Sequence, residues 1–153
     1  MRLYLASLER ASKDSELTEE PHYVEYAMNA RFRVFMEAFL NLGENGILFP
    51  KKCRACERVF ESYAQYLRQT IPKRHVMEDC SDVMRKPYTM LYRHCLCGNT
   101  LVLSLTDESY PLLDEMWAAL RAEAERTGKP LESVVSEFRE ACDRHVIRHS
   151  EDD

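Results

Sequence analysis

The sequence is poor in glycine, with four in 153 residues, and poor in the motifs that glycine builds. It has no Gly-x-Gly-x-x-Gly, no phosphate-binding loop and no Gly-x-Ser-x-Gly, and His-Glu-x-x-His is missing as well. These absences remove the local signatures of dinucleotide binding, nucleotide-phosphate chemistry, serine hydrolysis and zinc proteolysis. No apolar run approaches the roughly 18 residues of a membrane span, so no membrane partner is expected. The stretch Met1 to Arg10 meets charge too soon for a secretory apolar core, which predicts a cytoplasmic protein. Internal repeats and low-complexity tracts are absent too.

What is present suits a folded chain of modest size. Hydrophobic residues make up 45% and charged residues 31%, a balance that argues against disorder. Residues 3–12 fit a short helix or strand about equally, and Lys13 to Glu20 reads as a polar linker. From Pro21 to Leu42 the spacing predicts an amphipathic helix. Its stripe is Val24, Met28, Phe32, Phe35, Phe39 and Leu42, with Met36 and Leu40 beside it and Gly43 as its stop. So wide an apolar face suggests packing on more than one neighbour, including a second copy in a homodimer.

Two more helices are expected at the other end. Ser109 is placed to cap a helix with Leu113, Met116, Trp117 and Leu120 as its buried stripe. Gly128 ends it, and Pro130 opens another with Leu131, Val134, Val135, Phe138 and Cys142 on one face. The short connection predicts an antiparallel hairpin. Between these helical parts, Ser62 to Thr70 looks helical, Pro72 to Pro87 looks like a long irregular basic connection, and Tyr92 to Leu105 looks like two strands around a turn. The expected class is therefore α+β, mainly α. An N-terminal helical segment (1–49), a small β module (50–106) and a C-terminal helix hairpin with its tail (107–153) would form one integrated domain.

Six cysteines carry the strongest chemical signal. Four lie in two tight pairs, Cys53-x-x-Cys56 and Cys95-x-Cys97, with 38 residues between the pairs. Cysteines this close converge readily on one ion while backbone amides point at their sulfurs, and Gly98 suits the turn. Four thiolates satisfy Zn²⁺ completely, so the pattern predicts a closed, structural zinc site at Cys53, Cys56, Cys95 and Cys97. His94 is the alternative to either Cys95 or Cys97, and iron–sulfur ligation uses the same residues. A second metal site is conceivable at Cys142, His145 and His149, although Cys142 also continues an apolar stripe. Cys80 sits among Glu78, Asp79 and Asp82, which raises a thiol pKa and argues against a nucleophile paired with His75.

Charge is uneven. Between Lys51 and Arg93 there are ten Lys and Arg against five Asp and Glu, or +5, and the remainder is −10, giving the net −5. A basic middle suggests a nucleic-acid surface of Lys51, Lys52, Arg54, Arg58, Lys73, Arg74, Arg85 and Lys86, with Tyr63, Tyr66, Tyr88 and Tyr92 available to stack. The same cations also suit a site that four thiolates leave at −2.

Cys53-x-x-Cys56 followed by Val59-Phe60 and Tyr66-Leu67, then Arg93-x-Cys95-x-Cys97-Gly98-x-Thr100-Leu101, resembles a zinc-ribbon-like module of poorly characterised bacterial proteins, some associated with signalling. The resemblance covers residues 50–105. It implies a metal-binding module and no activity. The leading expectation is a non-catalytic regulatory or adaptor protein with a protein partner. The alternatives are a nucleic-acid-binding regulator and a thiol or zinc redox sensor.

Overall fold

A computed structural model describes residues 30–44 and 46–151, without the side chains of residues 74–76 and 151. The chain divides into two units, Met1–Arg33 and Val34–Asp153. The elements expected at 3–12 and 13–20, and the helix positions from Pro21 to Met28, lie outside the described residues.

The first described element, α1, covers residues 30–40. Phe32, Met36, Phe39 and Leu42 are buried, while Phe35 is half-buried, so Met36 belongs to the centre of the stripe. Gly43 follows in the left-handed region (φ 93°), where a side chain would be strained. A Cβ there would also stand 2.5 Å from Cδ2 of Phe49.

Two small antiparallel sheets come next. Lys51–Lys52 (β1) pairs with Val59–Phe60 (β2), and Thr70–Asp79 (β3), Tyr88–Cys95 (β4) and Thr100–Thr106 (β5) form a meander in the order β3-β4-β5. Tyr63–Arg68 (α2) links the sheets, with the Ser62 hydroxyl accepting from the Gln65 amide as its N-cap. β4 and β5 alternate strictly: Thr89, Leu91, Arg93, Cys95, Leu101, Leu103 and Leu105 are buried, and their neighbours are not.

The basic stretch from Pro72 to Pro87 is a strand and a helical turn, not an irregular connection. β3 pairs with β4 from Thr70↔Cys95 to Asp79↔Thr89, and Ser81–Met84 (α3) fills half of the return. The register jumps from Pro72↔Arg93 to Met77↔Leu91, so residues 73–76 all face the single Tyr92. That bulge breaks the period-two pattern by which a strand is recognised.

Leu113–Thr127 (α4) and Leu131–Glu151 (α5) form the expected hairpin around Gly128, which caps α4 with φ 75°. Leu112, not Ser109, is the N-cap of α4. Ser109 folds back instead, its hydroxyl accepting from the Thr106 amide and donating to the Thr106 carbonyl. The helices cover the odd-numbered face of the sheet, where Trp117 Nε1 donates to Thr89 Oγ1 at 2.8 Å and Arg93 pairs with Asp143 at 3.1 Å. The class is mixed α and β with helix predominant.

An aromatic cluster joins the parts. Phe60 of β2 meets Tyr66 edge-on (5.3 Å), Phe49 lies 5.8 Å from Tyr66, and Phe39 stands 4.8 Å from Tyr110 and 6.1 Å from Phe138. Such pairs add to the burial of large apolar surfaces.

Candidate metal centre

Each cysteine pair sits in the tip of a β-hairpin. In the first, the Cys53 amide donates to the Arg58 carbonyl (2.9 Å) and the Glu57 amide to the Cys53 carbonyl (2.7 Å). Glu57 takes the left-handed conformation (φ 66°) that lets so short a turn close. In the second, the Cys95 amide donates to the Asn99 carbonyl and the Gly98 amide to the Cys95 carbonyl, both at 2.8 Å. Gly98 has φ 98° and nothing within 4 Å of where a Cβ would be, so backbone angle, not space, demands glycine.

The tips meet. Cys53 Sγ lies 3.7 Å from Cys97 Sγ and Cys56 Sγ lies 3.6 Å from Cys95 Sγ, with all four sulfurs within 4.8 Å of one another. A tetrahedral ion with metal–sulfur bonds of about 2.3 Å requires sulfur–sulfur edges of about 3.8 Å. The four cysteines are thus positioned to hold a metal ion. Cys53 and Cys95 are buried and Cys56 and Cys97 exposed, so the site has a protected side and an open side.

The local electrostatics favour thiolate at Cys53. Amide hydrogen bonds from Cys56 lower the Cys53 thiol to about 6 against the desolvation that raises it, helped by the Ala55 amide, Asn99 and Cys97. The Asn99 side chain reaches across from the second tip, with Nδ2 donating to Cys53 Sγ at 3.5 Å. Cys97 moves oppositely, to about 11. The Asn99 amide lowers it, but desolvation and the contacts with Cys53, Cys95 and Cys56 together raise it further. Sulfurs this close cannot all ionise by themselves; a bound cation removes that conflict.

His94 is not part of the group. It projects from the opposite face of β4, with Nδ1 3.5 Å from Thr100 Oγ1. Cys142, His145 and His149 do not gather either, and the four-cysteine group is the metal-ligand cluster found among the described residues. Cys142 is wholly buried, with burial pushing its thiol up, and His149 turns its Nδ1 to the His145 carbonyl at 2.9 Å. Burial and then Glu78 and Asp79 push up the half-buried Cys80 thiol. The His75 side chain lies outside those described. Clefts of about 580 and 810 Å³ lie elsewhere, neither lined by any of the four cysteines.

The basic residues divide. Lys52, Arg54 and Arg58 are exposed around the first tip, with Lys51 half-buried beside them, whereas Arg85 and Lys86 follow α3. The length of β4 separates the two groups by about 23 Å. Lys73 lies over the Tyr92 ring (5.5 Å), and the Arg74 side chain is not among those described. Tyr63 and Tyr66 are buried, which removes them as stacking platforms.

A buried ionic network adjoins the site. Arg93, two residues before Cys95, donates to Asp143 (3.1 Å), Thr70 Oγ1 (2.5 Å) and the carbonyls of Leu67 and Thr70. Arg139 donates to the other Asp143 oxygen (2.8 Å) and to Tyr63 (2.5 Å), and lies over the Phe39 ring. An ionic network here is not an expectation of the sequence, which offers Tyr63 only for stacking and Arg93 only within the zinc-ribbon-like pattern. Its one sequence signal is Arg93 standing in the apolar alternation between Leu91 and Cys95.

No protein-family model, curated protein or solved structure matches the chain.

Proposed function

We propose that this is a zinc-stapled, non-catalytic bacterial regulatory or adaptor protein that works through protein–protein contacts, as a cytoplasmic homodimer. One observation carries the reading: four sulfurs at tetrahedral spacing, two on each of two hairpin tips. Four protein ligands leave no coordination position for substrate, so the ion's role is to fix the tips and the surfaces beside them. Zinc suits an all-thiolate tetrahedron, and the arrangement of tips agrees with the zinc-ribbon-like resemblance of residues 50–105.

Native mass spectrometry with and without a strong chelator tests this reading. The expected result is one zinc per chain, no turnover, and release of the first cysteine hairpin, residues 50–61, with loss of partner binding on chelation. Intact hairpins and intact partner binding without metal would falsify it.

The exposure of Lys52, Arg54 and Arg58 around one tip favours a second reading, a nucleic-acid-binding regulator. That reading expects affinity falling steeply with salt, and no binding to duplex or single strand at low salt removes it.

A further inference from the structure

The two edges of the three-stranded sheet differ. β3 carries Pro72, a bulge at 73–76 and the charges of Lys73, Glu78 and Asp79, all of which discourage strand addition. β5 reads Thr-Leu-Val-Leu-Ser-Leu-Thr: uncharged, without proline or glycine, and in unbroken register with β4 from Thr100↔His94 to Thr106↔Tyr88. Among the described residues, none of the usual devices for blunting an edge is present along Thr100–Ser104.

The hydrogen-bond parity says which backbone groups that edge offers. The Cys95 amide donates to the Asn99 carbonyl, so pairs two steps apart from there, Arg93↔Leu101, Leu91↔Leu103 and Thr89↔Leu105, bond to each other. The amides and carbonyls of Thr100, Val102, Ser104 and Thr106 therefore point away from β4. Thr106 bears this out, since its outward amide donates to the Ser109 hydroxyl and its carbonyl accepts from the Ser109 and Tyr110 amides. The outward groups of Thr100, Val102 and Ser104 have no such partner among the described residues.

We propose that β5 pairs antiparallel with β5 of a second copy of this chain, joining two three-stranded sheets into one continuous sheet. The strand is self-complementary. With Val102 opposite its own copy on the two-fold axis, Thr100 faces the second copy's Ser104 and Leu101 faces its Leu103. Outward amides then meet outward carbonyls at each of the open positions, for about six new backbone hydrogen bonds. An uncharged strand puts no like charge opposite itself, the usual obstacle to self-pairing. The capped Thr106 ends the pairing on that side and selects this register over one centred on Leu103, which would need its outward groups. The inference rests on the homodimer proposed above and gives it a surface different from the apolar stripe of α1; it does not depend on the metal's identity.

Sedimentation equilibrium of the metal-loaded full chain should give twice the chain mass, and Thr100→Lys/Ser104→Lys should return it to the chain mass with its metal retained. Amide exchange on the unaltered protein keeps the test independent of whether that variant folds. Dilution below the dimer's dissociation constant should speed exchange at Val102 and Ser104 by at least tenfold. A dimer whose β5 amides exchange at one rate at all concentrations overturns this surface alone. A chain that stays monomeric at high concentration overturns the surface and the dimer together, and leaves the metal reading standing.

Discussion

Removing the charge of Asp143 should destabilise the protein more than almost any other substitution near its surface. Its carboxylate bonds Arg93 through one oxygen and Arg139 through the other, and the two guanidinium side chains are only 8% and 5% exposed. Two buried cations share one anion, so Asp143→Asn leaves both without a counter-charge among the described residues while preserving shape. Breaking a buried pair by removing one partner costs roughly 3–5 kcal/mol. Asp143 itself is 20% exposed, and solvent reaching the site reduces this to about 2–4 kcal/mol. With a urea dependence of about 1.5 kcal/mol per molar, the midpoint should fall by about 1.3–2.7 M. Urea unfolding of the metal-loaded variant, followed by circular dichroism, reads this directly. Adding Arg139→Met to Asp143→Asn should restore part of the loss, because one stranded cation is gone, and the pair should be clearly non-additive. A midpoint within about 0.5 M of the unaltered protein, or simple additivity, would show that water already solvates the network, and the reasoning would be wrong.

Three further outcomes are expected. In metal-loaded protein, alkylation should reach Cys80 alone and slowly, its rate climbing about tenfold per pH unit to beyond the usual thiol value, since burial, Glu78 and Asp79 push that thiol up. Chelation should then expose Cys53, Cys56, Cys95 and Cys97, and only denaturant should expose Cys142; mass spectrometry of the adducts reads the order, and early labelling of Cys95 with metal bound contradicts the site. Cys95→Ser should cost most of the bound metal by elemental analysis while His94→Ala keeps it, and the reverse result would make His94 a ligand. Gly43→Ala should lower stability by about 1–3 kcal/mol in urea, because the new Cβ meets the Phe49 ring in a backbone conformation that disfavours any side chain; an unchanged midpoint would mean the ring moves freely.

The helices were legible because their signals are local. Gly128 after α4 and the stripe Leu113, Met116, Trp117 and Leu120 announce themselves by spacing alone, and all four stripe residues are buried. The cysteine cluster was legible for the same reason, each pair being confined to one turn. β3 was not, because a bulge and Pro72 disguise its period and its partners in β4 lie between 10 and 25 residues away, from Asp79↔Thr89 to Thr70↔Cys95. Arg139 was not either, since nothing local distinguishes an arginine bound to a buried carboxylate from one in water; Arg93 has only its place in the apolar alternation between Leu91 and Cys95 to mark it. Nothing local marks Asn99 in the turn after Cys97 either, yet its side chain crosses to Cys53 and its amide to Cys97.

The placement of the four-cysteine cluster says what a metal ion held there would do for a mainly helical protein. β1 and β2 are two residues each, far too short to persist as an isolated hairpin. Yet β2 carries Phe60, fully buried against Tyr66, so the aromatic cluster depends on that hairpin staying docked. The second tip is different in kind. β4 is anchored independently by Thr89 to Trp117 and by Arg93 to Asp143, one turn of the pleat from Cys95. A metal bridging the tips would therefore lend the rigidity of an anchored strand to a hairpin that has little of its own. Loss of the metal should accordingly be graded: residues 50–61 leave first and uncover Phe60 and Tyr66, while the β4–β5 pair and the α4–α5 hairpin hold. Hydrogen exchange of metal-free protein decides it, and simultaneous loss of protection in α5 would place the staple's influence deeper than the contacts of Phe60 account for.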